Sequence, residues 1–143
     1  GWATPIYVAE TDEIARKEAE EHIENFFNKF LYSPMEYKMP PGYSSVASYK
    51  KVMEQKMRVR MKYLSFDNLI EEGMLICGSP ETVVETLQKR ESDLKFENLV
   101  AMLQFGTLPA ELTDKNLRMF ATEVMPNLQT AAQGVRETAP AAE

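Results

Sequence analysis

Two short stretches of the 143-residue sequence combine residue types that handle ligands. In Met74-Leu75-Ile76-Cys77-Gly78-Ser79-Pro80-Glu81 an apolar run meets a Gly-Ser pair. Gly78 permits a tight turn and close backbone approach to a ligand. Ser79 is a good helix N-cap, Pro80 suits the first helical position, and Glu81 complements the helix dipole. Backbone N–H groups at such a helix start can hold an anion such as a phosphate. Capping alone also accounts for both Gly78 and Ser79, so the two readings stand side by side. In the second stretch the apolar run Leu99–Gln104 ends at Phe105-Gly106. The Gln104 amide and the Phe105 ring suit a pocket wall against a planar or apolar ligand. Core packing is the alternative, since aromatic rings are mostly buried.

Other chemistries lack their residues. His22 is the single histidine and Cys77 the single cysteine, which excludes a His/Cys zinc site. A Ser-His-Asp arrangement has no support either. His22 is expected to be structural or solvent-facing, and Cys77 a buried thiol. No internal disulfide can form, which fits a reducing compartment. The net charge of −6 argues against nucleic acid as a partner. One stretch runs the other way: Lys50, Lys51, Lys56, Arg58, Arg60 and Lys62 stand against Glu54 alone. Such a run attracts a phosphate-bearing or other anionic ligand, or it simply forms a solvated face. No apolar run reaches the roughly 18 residues of a membrane span, no signal peptide is visible, and a cytoplasmic location is expected.

The elements that must position these residues alternate. Thr4–Ala9 reads as a buried strand, and Thr11 caps a helix whose apolar stripe is Ala15, Ala19, Ile23, Phe26, Phe27 and Phe30. From Tyr32 to Phe66 the pattern breaks at Ser33-Pro34 and Met39-Pro40-Pro41-Gly42-Tyr43. A connection of this length is an active-site lid or an insertion that merely covers the fold. As a lid it offers Tyr43, Tyr49 and Met53 as pocket contacts. Asp67–Glu72 makes a helical turn stopped by Gly73. Met74–Cys77 is a second strand, followed by a helix burying Val83, Val84 and Leu87, and Leu99–Gln104 is a third. Thr113 is expected to cap a last helix, with Leu117, Phe120, Ala121 and Val124 on its buried face and Pro126 at its end. Residues 129–143 read as a flexible tail. Strands alternating with helices predict an α/β fold with parallel strands and right-handed crossovers.

Several runs in this order resemble one family. They are Tyr7-Val8-Ala9-Glu10-Thr11-Asp12-Glu13, Pro40-Pro41-Gly42-Tyr43, Leu75-Ile76-Cys77-Gly78-Ser79-Pro80-Glu81-Thr82-Val83, Leu99–Pro109, Asn116–Ala121 and Glu123-Val124-Met125-Pro126. Together they resemble the C-terminal part of the bacterial luciferase-like, flavin-dependent monooxygenases. The resemblance implies a partial (β/α)8 TIM-type barrel over residues 1–128, its last three βα units, with a long insertion at 32–66. Five preceding βα units, which carry much of the family's flavin site, would lie outside the chain. It implies reduced flavin as cofactor, FMN in preference to FAD, and oxygenation of a small organic substrate by O2 through a C4a-peroxyflavin. A flavin reductase would be a partner. Because ligands sit at the C-terminal ends of barrel strands, the resemblance points to Gly78 and Ser79 for cofactor, and to Gln104, Phe105 and Tyr43 for substrate. It assigns no metal and no catalytic residue. Open strand edges in a partial barrel imply a homo-oligomer or a complementary barrel portion. The second functional class is therefore a non-catalytic oligomerisation or interaction module.

Overall fold

The computed structural model describes residues 1–31, 42, 45–48, 50–51, 54 and 63–128. Tyr43, Tyr49, Met53, most of the basic run and the tail at 129–143 lie outside the described residues. The elements are β1 (Trp2–Val8), α1 (Asp12–Asn25), α2 (Phe66–Glu71), β2 (Ile76–Gly78), α3 (Pro80–Leu94), β3 (Leu99–Met102) and α4 (Ala110–Met119). Two π-helical turns, Phe26–Phe30 and Phe120–Val124, extend α1 and α4.

Local chemistry sets the helix starts. The Thr11 hydroxyl accepts from the Ile14 N–H, that of Ser65 from Asn68, and that of Ser79 from Thr82. The last helix starts earlier than Thr113. Pro109 is its N-cap, and the Thr113 hydroxyl donates back to the Pro109 carbonyl at 3.0 Å. It also continues beyond Pro126 to Leu128. Its buried stripe is Asn116, Phe120 and Val124, while Leu117 and Ala121 face out.

The three strands are parallel in the order β2-β1-β3. This overturns the partial barrel. The last three strands of a barrel run in sequence order, each paired with the next, whereas here β2 and β3 both pair with β1. Burial explains the choice. Every residue from Thr4 to Ala9 is buried, so β1 is the strand that needs both faces covered and takes the centre. Its alternation divides the core in two. Tyr7 and Ala9 pack with Ala15, Ala19 and Ile23 of α1 and with Phe66 and Leu69 of α2. Ile6 and Val8 pack with Val83 and Leu87 of α3 and with Phe120 and Val124. Successive crossovers thus lie on opposite faces of one small open sheet.

The pairing is staggered. Trp2–Pro5 align with β3, and Ile6–Val8 with β2. Pro5 has no N–H to give. The Trp2 N–H bonds the Asn98 carbonyl on the β3 side, so by the strand's period of two Pro5 points to the opposite edge. On that edge the pairing with β2 begins only at Ile6, opposite Ile76, and no donor is missed.

Candidate functional site: the carboxyl ends of the strands

Ligands of open parallel sheets bind outside the carboxyl ends of the strands, in the crevice where the strand order reverses. Here that crevice lies between β1 and β3. The ladder between them stops at Pro5 and Met102. Beyond it, β1 still presents the Ile6 carbonyl and the Val8 N–H toward the departing β3. The buried side chain of Asn116 takes both. Its Oδ1 accepts from Val8 N–H at 2.8 Å, and its Nδ2 donates to the Ile6 and Leu103 carbonyls at 2.9 Å each. One amide therefore stands in for the missing piece of strand.

Gln104 and Phe105 leave β3 directly above this splice. Phe105 is 1% exposed and meets Tyr7 edge to face, with ring centroids 6.3 Å apart. Gln104 is exposed and lines a cavity of about 390 Å³ with Leu108, Ala110, Thr113, Asp114 and Leu117. Gly106, at φ +54, lets the chain turn against α1, where any Cβ would strike the His22 carbonyl. His22 itself bonds the Thr107 hydroxyl through Nδ1 at 2.8 Å.

Beside the crevice the Tyr7 hydroxyl donates to Glu18 at 2.9 Å. Lys115 donates to both Glu18 oxygens at 2.9 Å and pairs with Glu10 at 2.7 Å. Burial first, then the Glu18 carboxylate, holds the Tyr7 proton well above the usual phenol range. Burial opposes the charge on Lys115, but hydrogen bonds to Glu10 and Glu18 outweigh it and raise its pKa. The hydrogen bond from Lys115 lowers that of Glu10. Glu18, Lys115 and Asn116 carried no sequence signal as a group. Asn116 alone left a trace, as a polar residue four positions before Phe120 in the buried stripe.

Gly78 and Ser79 sit on the other side of β1, two strand spacings or roughly 10 Å from the β3 exit. There the chain supplies its own anion. Asp12 Oδ1 accepts from the Ser79 N–H at 2.7 Å and Oδ2 from the Thr82 hydroxyl at 3.2 Å. A Cβ at residue 78 would lie 2.6 Å from that carboxylate, so the glycine is what lets Asp12 sit this close without displacement. A cleft of about 460 Å³ adjoins, lined by Asp12, Glu13, Arg16, Asp67, Glu71 and Cys77 among others. Arg16 is engaged by Asp67 at 2.6 Å and Glu20 at 3.2 Å. Burial, reinforced by the Asp12 charge, pushes the Cys77 thiol up to about 12.

Among the described residues no group of three or more His, Cys, Asp or Glu is placed to hold a metal. No described helix is long and apolar enough to cross a membrane. No protein-family model matches the chain, and no curated protein matches it.

Proposed function

We propose that the chain is part of a flavin-dependent monooxygenase and supplies one wall of its ligand site. Gln104 carries the reading, since it leaves β3 at the carboxyl end of the sheet, the end at which open parallel sheets take their ligands, and lines the cavity between that exit and α4. The sequence runs around Cys77–Val83 and Leu99–Pro109 support it by their resemblance to the luciferase-like enzymes. A reduced flavin, with FMN preferred, supplies the oxygen chemistry when bound, and a reductase supplies the reduced form. The phosphate of such a flavin does not fit at the start of α3, because the Asp12 carboxylate already takes the Ser79 N–H and the Thr82 hydroxyl. The role of this chain is to bound the pocket: Leu108 gives its wall an apolar patch that excludes water, Phe105 anchors the turn by packing on Tyr7, and the exposed Gln104 amide orients a polar edge of the ligand. A cytoplasmic site of action accords with the lone cysteine.

The test is turnover and binding together. The purified chain is mixed with FMN, a flavin reductase, reductant and O2, and flavin fluorescence is followed on titration. Saturable binding that weakens on Gln104→Ala is the expected result. Absence of binding in both flavin redox states rejects the reading.

A second reading has its own observation. Among the described residues β3 is an edge strand with one side unpaired, and its Val100 is 61% exposed. A parallel sheet ordinarily has its strands covered, so the chain is read as a module that pairs with another polypeptide.

A further inference from the structure

The two edges of the sheet are not equivalent. On β2 the Gly78 carbonyl accepts from Ala9 of β1, so Leu75, Cys77 and Ser79 present their backbone groups outward. Two of these three N–H groups are already taken. Leu75 donates to the Leu69 carbonyl of α2 at 3.2 Å, and Ser79 to Asp12. The outer edge of β2 is thereby closed at both ends, a recognised protection against strand addition.

On β3 the Asn98 carbonyl accepts from Trp2 of β1. By the same parity Leu99 and Ala101 turn their N–H and C=O groups outward, and no described residue meets them. The strand Leu99-Val100-Ala101-Met102 carries no charge, no proline and no bulge. Val100, between the two outward residues, is the most exposed residue of the strand.

We infer that β3 pairs antiparallel with β3 of a second copy of this chain, about a twofold axis passing between the two Val100 residues. This rests on the reading of the chain as a pairing module and names its partner. The register follows from the outward groups. Leu99 of one copy faces Ala101 of the other, each pair exchanging two hydrogen bonds, and Val100 faces Val100 in the close non-hydrogen-bonded position. The pairing covers the exposed Val100 and extends the sheet from three strands to six. Because the strand is uncharged, self-pairing sets no like charges opposite one another, despite a net charge of −6 on each chain.

Sedimentation equilibrium of the full chain is expected to give twice the monomer mass. Ala101→Pro removes only an outward N–H and leaves the β1 ladder intact; Val100→Lys places two like charges face to face. Both are expected to give folded monomers, with unchanged helical circular dichroism. Val100→Cys is expected to form an intermolecular disulfide on mild oxidation, as a facing pair at this spacing allows. The exposed Leu94→Cys control is expected not to. A wild-type monomer overturns the inference while leaving a different pairing partner open to the broader reading. A dimer that survives both substitutions, or that cross-links at residue 94 and not at 100, also overturns it.

Discussion

The Asn116 side chain bonds the Val8 backbone as a neighbouring strand would, with Oδ1 accepting the Val8 N–H at 2.8 Å. The two residues are 108 positions apart, and the contact is fully buried. It holds α4 against the centre of the sheet where β3 turns away, and so fixes the crevice above which Gln104 and Phe105 lie.

Asn116→Ala leaves the Val8 N–H and the Ile6 and Leu103 carbonyls without this partner. Each buried unsatisfied group costs roughly 1–3 kcal/mol, and a total loss of about 3 kcal/mol or more is expected in urea unfolding. Asn116→Asp keeps the shape but sets a carboxylate against two carbonyl oxygens, so it is expected to be no better at neutral pH. A loss under about 0.5 kcal/mol for the alanine variant would remove Asn116 from this role.

Backbone conformation separates two further positions. Gly106→Ala combines a left-handed φ with a collision at the His22 carbonyl and is expected to destabilise by about 2–4 kcal/mol. Lys95 ends α3 at φ 51, a conformation glycine adopts without strain. Lys95→Gly is therefore expected to stabilise by roughly 0.5–1 kcal/mol. Thermal midpoints moving in these opposite directions support the turn geometry, and equal effects at both sites contradict it.

The start of α3 is built around Ser79 as a cap, with Asp12 in the anion position. Ser79→Ala is expected to cost about 1 kcal/mol of stability and to leave FMN affinity unchanged. A fall in affinity without a fall in stability would return the cofactor role to Ser79.

Acid stability tests the ion pairs. Hydrogen bonds from Arg16 hold Asp67 below its ordinary 3.8, and those from Lys115 hold Glu10 below its ordinary 4.5. A depressed carboxylate stabilises the fold above its unfolded pKa, and that contribution disappears as the pH falls through the lower folded value. The urea midpoint is thus expected to drop as the pH falls below about 4.5. The Glu10→Gln/Asp67→Asn double variant is expected to show a shallower acid limb. Identical slopes for the two proteins would contradict the assignment.

Much of the local structure was legible. Thr11, Ser79 and Pro80 mark helix starts through short-range chemistry that owes little to the rest of the fold. The apolar runs at Thr4, Met74 and Leu99 mark strands, although β2 and β3 are shorter than those runs. Strand order was not legible, because three apolar runs joined by helices suit sequential pairing and central-strand pairing equally. What decides is the two-sided burial of Thr4–Ala9, a tertiary property. The start of the last helix is hidden from the sequence for a related reason. Thr113 resembles a cap, but its hydroxyl bonds back to Pro109 one turn earlier. Of the candidate ligand residues, Gln104 lines a cavity beside α4, its neighbour Phe105 is buried against Tyr7, and Gly78 and Ser79 stand across β1 from them. The Glu10–Lys115–Glu18–Tyr7 network joins residues scattered over more than a hundred positions, so no local spacing announces it.

A flavin in the ligand site meets the chain at the exit of β3. Backbone amide NMR during titration with FMN reads this residue by residue. Shifts centred on Gln104, Phe105, Glu10 and Thr11 are predicted. No saturable shifts, or shifts centred on Ser79 and Thr82, would contradict it.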